Sequence, residues 1–183
     1  MTFAGGDAGA WAVQSIVAVR GPALAPAAYV SVDEGGASNG TAAWVLRGVT
    51  SNERYTERAE REALAARQPP LGRPEATAAA LIPVTKSAAW WALAQDERRA
   101  IFEERSQHIR SSLPYLPRIA RRLHHGRDLG EPFDFLTWFE FAPEHEPAFD
   151  ELLGILRGTE EWRYVEREVD VRLHVTSGTA GRR

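Results

Sequence analysis

The chain has 183 residues, of which 44% are hydrophobic and 26% are charged; this composition predicts one compact domain with a sizeable core and excludes disordered and collagen-like classes. The formal net charge of −3 provides no strong field that would favour nucleic acid or an anionic membrane, so a small anionic ligand would need a local positive group. The absence of cysteine excludes disulfides, thiolate metal ligands and a cysteine nucleophile.

The first part of the chain is predicted to form two strands and a helix. Residues 11–20 (WAVQSIVAVR) and 41–50 (TAAWVLRGVT) are rich in β-branched and aromatic side chains, which favours strands. The stretch 21–40 between them is rich in glycine and proline and is predicted to be a connection. Residues 55–67 (YTERAEREALAAR) carry charges of alternating sign that are typical of an exposed helix, and the prolines that follow end it.

The middle of the chain is predicted to form a strand followed by a long helical region. Residues 76–84 (ATAAALIPV) favour a strand that leads to Thr85 and Lys86. Ser87 is a suitable N-cap for a helix that continues to Ile109, either unbroken or with an interruption.

Residues 113–125 (LPYLPRIARRLHH) and 133–141 (FDFLTWFEF) are predicted to form an antiparallel hairpin around a polar loop. The first segment could also form a helical stripe, but Pro117 and the clean alternation of the second segment favour strands. The second segment places alternate residues on one face, namely Phe133, Phe135, Thr137, Phe139 and Phe141.

The register of this hairpin decides where two arginines point. A hairpin centred on Leu129 would set Arg121 opposite Thr137, in the middle of an aromatic face. A guanidinium is costly there unless an anion or a hydrogen-bond acceptor receives it. A register shifted by one residue would instead turn Arg122 inward, or both arginines could be solvated, and the pattern leaves these alternatives open.

The last part of the chain is predicted to form a helix and a strand. Pro147 begins a helix with apolar residues at helical spacing, namely Phe149, Leu152, Leu153 and Leu156. Residues 164–175 (YVEREVDVRLHV) favour a strand with one apolar side, formed by Val165, Val169, Val171, Leu173 and Val175. The order of the elements and their antiparallel patterns predict an α+β fold of ferredoxin-like type, with one or two such units.

Few residues reveal a chemistry when they are taken singly. A lone histidine on a helix, such as His108, is more often a packing or surface residue than a ligand. The other histidines lack metal-ligand spacing, so a zinc site is not supported. Glu161 and the tandem Trp90–Trp91 would ordinarily be a charged helix end and a piece of core.

Taken together, however, these residues resemble the chlorite dismutase family. The resemblance rests on residues 82–172, which include IPVTKSAAWW, ERSQHI, FDFLTWFEF and TEEWRYVEREVDVR, and it extends weakly to SNERY and RQPP. It points to the short, dimeric branch of the family. It implies a dimeric α+β barrel with a truncated N-terminal ferredoxin-like unit (1–80), a haem-binding ferredoxin-like unit (81–176) and a disordered tail (177–183).

The resemblance also implies a cofactor, haem b (iron protoporphyrin IX), and the residues around its iron. His108 would be the axial ligand of the iron, and Arg121, thirteen residues later, would be the catalytic residue on the distal side. Glu161 falls where the family places the carboxylate that hydrogen-bonds the ligand.

Other positions match residues that surround the haem in the family. Those expected to contact the haem propionates are Lys86, Trp90, Ile82 and Tyr55. Trp91 matches a second tryptophan beside the proximal pocket. The distal pocket is expected to include Gln68, Leu123, Thr137 and Phe139.

The function implied by the resemblance is that of an enzyme, chlorite dismutase, which decomposes chlorite to chloride and dioxygen through a ferryl and hypochlorite intermediate. A haem peroxidase or a coprohaem decarboxylase of the same superfamily is the alternative, although the decarboxylases lack an arginine at the position of Arg121. A haem-binding or sensing ferredoxin-like module is the non-enzymatic alternative.

The expected partners are chlorite and small anions, together with a second copy of the chain in a homodimer, and neither nucleic acid nor a membrane is expected. The N-terminal sequence MTFAGGDAGAW has neither a basic segment nor an apolar run of signal-peptide length. We therefore expect a soluble, cytoplasmic protein.

Overall fold

The computed structural model describes residues 1–34, 41–52 and 54–176, and within these residues one antiparallel sheet of nine strands dominates the fold. The strands are Thr2–Gly6 (β1), Trp11–Arg20 (β2), Tyr29–Asp33 (β3), Ala42–Arg47 (β4), Val49–Thr50 (β5), Ala78–Lys86 (β6), Ile119–His125 (β7), Phe135–Phe141 (β8) and Val165–Val175 (β9). Their order across the sheet is β4-β1-β3-β2-β9-β6-β8-β7-β5.

The two ends of this strand order belong to one stretch of chain. Only Gly48 separates β4 at one end from β5 at the other, so the sheet curls until its edges meet in a barrel. A side chain at Gly48 would lie 2.7 Å from Cβ of His124, which explains why this joint contains a glycine. Two residue pairs, Val49 with His125 and Thr50 with His124, join this stretch of chain to β7.

The helices are mostly short. They are Arg58–Arg67 (α1), Ala88–Ala92 (α2), Gln95–Arg99 (α3), a π-helical turn at Ala100–Arg105, His108–Ser112 (α4) and Glu146–Arg157 (α5), with 3₁₀ helices at Arg127–Leu129, Pro143–His145 and Glu161–Tyr164. No helix in the described parts of the chain is long and apolar enough to span a membrane.

The sheet has two packed faces because successive side chains of a strand alternate. The inner face fills the barrel, and its buried residues include Phe3, Trp11, Leu46, Leu81, Leu136, Trp138, Val171 and Leu173. The outer face of β6, β7 and β8 packs against α5, and its buried residues include Ala80, Ile82, Ile119, Phe139, Phe141, Phe149, Leu152 and Leu156. The predicted apolar stripe of α5 is therefore confirmed.

The structure confirms the predicted α+β class with an antiparallel sheet and adds elements that the sequence did not reveal. Strands β1 and β3 were missed, because they are short and lie in glycine-rich or proline-rich surroundings. The helical region after Ser87 is broken, although Ser87 Oγ accepts the Trp90 N–H as expected of an N-cap. The predicted boundary between residues 80 and 81 falls inside β6, and the predicted tail 177–183 lies outside the described residues.

The predicted hairpin is formed by β7 and β8, but its register differs from the prediction by two residues. Arg121 pairs with Phe139 rather than Thr137, and Leu123 pairs with Thr137. The loop contains a 3₁₀ turn that ends at Gly130 with φ of +72°, and this turn chemistry moves the centre of the hairpin. A shift of two residues keeps every side chain on its predicted face.

Two residues lie on the opposite face from the one predicted. Phe133 precedes β8 and packs in the inner cluster, because the alternation holds only from the first residue of the strand, Phe135. Val165 packs in the outer cluster, whereas Val169 packs in the inner one. An irregularity in the pairing of β6 with β9 between Thr85 and Lys86 changes the side on which Val165 lies.

Candidate functional site

A large cavity opens on the outer face of the sheet, between strands β6, β7 and β8 and helices α1, α4 and α5. Its volume is about 1100 Å³ including the open mouth, which is large enough for an organic cofactor. Most of its wall is apolar and includes Val84, Leu116, Leu123, Phe135, Phe139, Leu152 and Leu156. Polar and ionisable groups that were predicted as site residues also line it, namely Tyr55, Lys86, Trp90, His108, Arg121, Thr137 and Glu161.

His108 and Glu161 form a hydrogen-bonded pair on the helical wall of this cavity. His108 is the first residue of α4, and its Nδ1 lies 2.7 Å from Oε2 of Glu161. An ionised carboxylate can only accept, so Nδ1 carries a proton, and in the neutral imidazole Nε2 then has the lone pair. The backbone N–H of Glu161 donates to Ser106 Oγ at 2.9 Å, and this hydrogen bond fixes the backbone from which the carboxylate projects. Nε2 of an imidazole oriented in this way is suited to bind a metal.

Lys86 lies on the far side of Glu161 and is buried. Its Nζ lies 2.7 Å from Oε1 of Glu161, and only 4% of its side chain is exposed. Burial raises the pKa of Glu161, but the charge of Lys86 and the hydrogen bonds from His108 and Lys86 outweigh burial and lower that pKa to about 2. Glu161 is therefore an ionised carboxylate held between an ammonium and an imidazole N–H.

The contacts of Lys86 differ from those implied by the family resemblance. The resemblance implied a contact with a haem propionate, whereas the structure gives the ammonium Glu161 as its anionic partner. A buried ammonium needs such a partner because an isolated charge is costly away from water. The ammonium also lies over the rings of Trp90 and Trp162, at 4.6 and 5.3 Å from their centroids. A propionate contact of Lys86 stays a prediction.

Arg121 enters the same cavity from the sheet wall. Arg122 pairs with Trp138, points to the other face and forms a long ion pair with Glu34 at 3.8 Å. Among the residues described, no carboxylate lies within salt-bridge distance of the Arg121 guanidinium, and burial lowers its pKa from the ordinary value. A guanidinium still remains charged in proteins. Of the alternatives left open by the sequence, the structure therefore selects Arg121 as the arginine on the aromatic face.

Two buried donors in the cavity have no partner. The Tyr55 hydroxyl and Nε1 of Trp90 are both buried without a hydrogen bond to any residue that the structure describes, and both residues line the cavity. Their rings pack edge to face at 5.9 Å, so the two donors belong to one part of the wall. Because unsatisfied buried donors are rare in native proteins, their presence indicates a missing acceptor.

These features fit haem b. Nε2 of His108 is available for the iron, the apolar wall suits the macrocycle, and the donors of Tyr55 and Trp90 suit the propionate carboxylates. Arg121 comes from the sheet wall and His108 from the helical wall, so the two residues can lie on different sides of a flat cofactor. The chemical types of the groups that line the cavity therefore fit the predicted cofactor.

The remaining predicted residues divide into two groups. Ile82, Leu123, Thr137 and Phe139 line the cavity. Gln68 and Trp91 are not among the residues that line it. Gln68 donates from Nε2 to the backbone carbonyl of Arg121 at 2.9 Å, and Trp91 stacks on Phe135 and donates to Asp134 at 3.1 Å. The functional roles predicted for all of these residues stay predictions.

Sequence reasoning did not identify several residues of the cavity wall as site residues, among them Asn52, Arg54, Thr56 and Phe102. The first three flank Tyr55, and Asn52 Oδ1 accepts the Leu123 N–H at 2.8 Å, which attaches their loop to β7. Their nearness to Tyr55 in the sequence was the available signal. Phe102 stacks on His108 at 4.4 Å between ring centroids, a contact that no helical periodicity predicts.

Comparison with known proteins gives consistent matches. The model of the protein family described as chlorite dismutase matches residues 34–176. The crystal structure of a dimeric chlorite dismutase from Nitrobacter winogradskyi is 58% identical, with a TM-score of 0.89 over 96% of this chain and 99% of that chain. This match confirms the predicted ferredoxin-like α+β fold.

More distant relatives are longer than this chain. A chlorite dismutase from Candidatus Nitrospira defluvii in complex with imidazole is 29% identical, with a TM-score of 0.60 over 75% of this chain and 56% of that chain. A chlorite dismutase from Ideonella dechloratans is 35% identical over 84 residues, which are 46% of this chain and 27% of that protein. The match thus spans only about a quarter of that curated relative. The extent of the family match and the 58% identity nevertheless show that the chain belongs to the chlorite dismutase family.

Proposed function

We propose that the protein is a haem b-dependent chlorite dismutase, which converts chlorite to chloride and dioxygen. The observation that carries this proposal is the content of one cavity: the His108–Glu161 pair on one wall, the guanidinium of Arg121 on the other, and two unpartnered buried donors. The relative that matches over nearly the whole chain is named a chlorite dismutase, which supports the same activity here.

The cofactor would be held by the groups that the cavity leaves available. His108 would bind the iron through Nε2, while Tyr55 and Trp90 would donate to the propionates. Bound haem b would supply the redox chemistry by which both Cl–O bonds of chlorite break and the O–O bond of dioxygen forms. Chloride and dioxygen together contain all the atoms of chlorite, so the protein need not supply an acid or a base.

Glu161 and Lys86 would set the electronic character of His108. Glu161 holds the proton on Nδ1 and gives the imidazole partial anionic character, which makes Nε2 a stronger donor to a metal. Lys86 keeps Glu161 ionised and limits how far the proton moves from Nδ1 towards the carboxylate. Lys86 and Glu161 therefore act together on the imidazole of His108 through one continuous series of hydrogen bonds.

Arg121 would hold the anion on the reacting side of the cofactor. It offers several N–H donors in one plane and a charge that does not titrate, so it can retain chlorite and the hypochlorite-level fragment that must react again before it escapes. The apolar neighbours Leu123 and Phe139 would strengthen this attraction by lowering the local dielectric. We also propose a homodimer, because the 58% identical relative is described as dimeric.

The direct test is an oxygen-electrode trace recorded after chlorite is added to the haem-loaded protein. We expect one dioxygen per chlorite consumed, with chloride as the chlorine product. Consumption of chlorite without dioxygen would contradict the proposal and favour a peroxidase. Conversion of coprohaem with peroxide, in place of chlorite turnover, would favour the decarboxylase.

The role of Arg121 is tested by comparing two variants with the wild type. Arg121→Ala should keep some dioxygen evolution but release more hypochlorite, so the chlorination of monochlorodimedone should rise and the enzyme should be inactivated after fewer turnovers. Arg121→Lys should fall between, since it keeps a charge but loses the planar donors. Wild-type oxygen evolution in Arg121→Ala, without added chlorination or faster inactivation, would refute this role.

A further inference from the structure

The backbone just before His108 departs from an ordinary helix. Ala100–Arg105 form a π-helical turn, and Gln107 then adopts the left-handed conformation with φ of +50° and ψ of +38°. In the described part of the chain, Gln107 and Tyr55 are the only non-glycine residues with positive φ. Both π-helical turns and strained backbone tend to mark functional sites. This irregular segment leads directly to the first residue of α4, His108.

Glu103 fixes the backbone at the start of α4. Its Oε2 accepts the N–H of Ile109 at 2.6 Å, and its Oε1 accepts the N–H of Arg110 at 3.1 Å. Helix α4 has only five residues, so it has little stability of its own and its free N–H groups need acceptors. The carboxylate of Glu103 thus holds the helix turn from which the His108 side chain projects.

Phe102 fixes the ring of His108. The two rings stack with centroids 4.4 Å apart and planes inclined by 23°. The hydrogen bond to Glu161 holds one edge of the imidazole, while the Phe102 ring covers one of its faces. Rotation of the imidazole about its χ2 angle would break both contacts, so the hydrogen bond and the stack together define the plane of the ring.

The irregular backbone is what makes these contacts possible. In a regular α-helix successive residues are rotated by 100°, so residues six apart point about 120° away from each other. Phe102 and His108 are six residues apart, as are Glu103 and Ile109, yet each pair is in contact. The π-helical turn and the left-handed Gln107 redirect the chain so that residues from two consecutive turns meet at the imidazole.

We propose that the π-helical turn is a positioning element for His108, in which Glu103 fixes the backbone of α4 and Phe102 fixes the plane of the imidazole. The functional purpose of this element rests on the proposed function, because a ring held in one orientation presents Nε2 to the iron in a single geometry. The positioning itself is a property of the chain and is measurable without turnover.

The first experiment uses the full chain without haem, labelled with ¹⁵N-histidine, in wild-type protein and in Glu103→Ala, Phe102→Leu and Glu104→Ala. Glu104 is the matched control, since it is exposed and belongs to the same turn. The ring nitrogen shifts of His108 should show a single Nδ1–H tautomer in the wild type and in Glu104→Ala. Both Glu103→Ala and Phe102→Leu should show a population of the Nε2–H tautomer, because the bond to Glu161 loosens.

The second experiment measures transfer of haem from the loaded protein to apomyoglobin. Glu103→Ala should release haem about fivefold faster, the factor that corresponds to a lost helix cap, and Glu104→Ala less than about twofold faster. Adding Gln107→Gly to Glu103→Ala should restore part of the loss, since glycine adopts the left-handed conformation without strain. Phe102→Tyr keeps an aromatic face and should resemble the wild type.

Wild-type tautomers in folded Glu103→Ala and Phe102→Leu would overturn the proposal. If either variant fails to fold, Glu103→Gln replaces Glu103→Ala and Phe102→Met replaces Phe102→Leu. Glu103→Gln should lie between wild type and Glu103→Ala because it keeps one acceptor, and Phe102→Met should behave as Phe102→Leu because it fills the space without an aromatic face. The tautomer measurement stands even if the protein evolves no dioxygen, so failure of the proposed function and failure of this inference are separate results.

Discussion

The two faces of the sheet are built on the same strands but differ in how completely their polar groups are satisfied. On the inner face, Nε1 of Trp44 donates to the Ala25 carbonyl at 3.1 Å and Nε1 of Trp138 donates to Glu140 at 3.0 Å. On the outer face, Nε1 of Trp90 has no partner among the described residues, although Trp90 is fully buried. The indole N–H is therefore satisfied at Trp44 and Trp138 and open at Trp90, whereas Trp162, which also lines the cavity, donates to Glu168 at 2.7 Å.

Charge and backbone strain show the same contrast. The cavity wall contains the buried Lys86–Glu161 ion pair, and the strained residues Tyr55 and Gln107 lie in it or directly before its histidine. The barrel interior contains mostly apolar side chains, with His124 as an exception whose Nε2 is also unpartnered. Burial lowers the pKa of His124 to about 4, so His124 stays neutral. One face is arranged for stability, and the other gives up some stability to keep groups ready for a ligand.

Removal of His108, the proposed iron ligand, should have the largest effect on haem affinity and should leave the barrel interior unchanged. His108→Ala is expected to weaken haem binding more than about a hundredfold, since loss of an outer partner of a metal ligand alone costs up to that factor. A hemin titration followed at the Soret band measures this, and His174→Ala is the control because His174 is exposed on β9. Full haem occupancy of His108→Ala with an unchanged ferric spectrum would show that another residue is the ligand.

A substitution on the inner face should lower the stability of the protein without changing its haem affinity. Leu136 is fully buried in the barrel, so Leu136→Ala should lower the free energy of unfolding by about 4 kcal/mol through lost burial and a new cavity. Haem affinity of the folded fraction should remain unchanged, because Leu136 lies on the face turned away from the cofactor. Denaturant unfolding and a hemin titration of the same variant separate the two effects. A tenfold loss of haem affinity would show that the faces are coupled.

Sequence patterns predicted the faces of the sheet better than they predicted its connections. The alternation in β8 identified Phe139 and Trp138 as residues of opposite faces, because the two-residue period is local. The register of the hairpin and the position of Phe133 depended on a 3₁₀ turn and on the start of the strand, which the pattern does not contain. Strand β1 (TFAGG) lacks a strand-like composition and is stabilised by its neighbours β3 and β4.

The residues of the candidate site could also be predicted only in part from the sequence. His108 and Glu161 were found only through their resemblance to family motifs, whereas the hairpin pattern already singled out Arg121 and left Arg122 as the alternative. The contacts of Phe102 and Glu103 were not predictable, because a π-helical turn and a left-handed residue break the 3.6-residue period on which helical contacts are predicted. Lys86 could be placed near the site but not paired with Glu161, which is 75 residues away in the sequence.

The buried charges of the cavity wall predict a loss of stability in acid. The pKa of Glu161 is about 2 in the folded protein against an ordinary value of 4.5, so its contribution is complete above about pH 4.5 and is lost as the pH falls through about 2. A shift of this size corresponds to about 3 kcal/mol of unfolding free energy. Urea unfolding of the haem-free protein between these pH values measures it.

Glu161→Gln should remove this pH dependence, because the amide does not titrate. Glu160→Gln is the matched control, since Glu160 is only half-buried and pairs with the exposed Arg105. A pH dependence that is equally steep in wild type and Glu161→Gln would show that other carboxylates cause the acid loss and that the ion pair with Lys86 is weaker than its geometry indicates.

The smallest expected effect concerns the strained loop that holds the Tyr55 hydroxyl in the cavity. Tyr55 has φ of +59°, and its carbonyl accepts a hydrogen bond from Nη1 of Arg99 at 2.6 Å. Arg99 is itself fixed by a two-point contact with Glu60, at 2.8 and 2.6 Å. Burial raises the pKa of Glu60, but the hydrogen bond and charge of Arg99 outweigh burial and lower it, so the pair is ionised. Arg99 thus stabilises a backbone conformation that Tyr55 would otherwise leave.

Arg99→Met should therefore lower haem affinity about fivefold, which is roughly the 1 kcal/mol of one hydrogen bond. The side chain keeps its length but cannot donate to the Tyr55 carbonyl, so the loop relaxes and the hydroxyl is no longer held towards a propionate. Arg105→Met is the control, since Arg105 pairs with Glu160 at 3.1 Å with half its side chain exposed and should change affinity less than about twofold. Equal effects of the two substitutions in hemin titrations would mean that general loss of positive charge, rather than the position of Tyr55, governs binding. A larger effect of Arg99→Met that disappears when Tyr55→Phe is added would assign the difference to the Tyr55 hydroxyl.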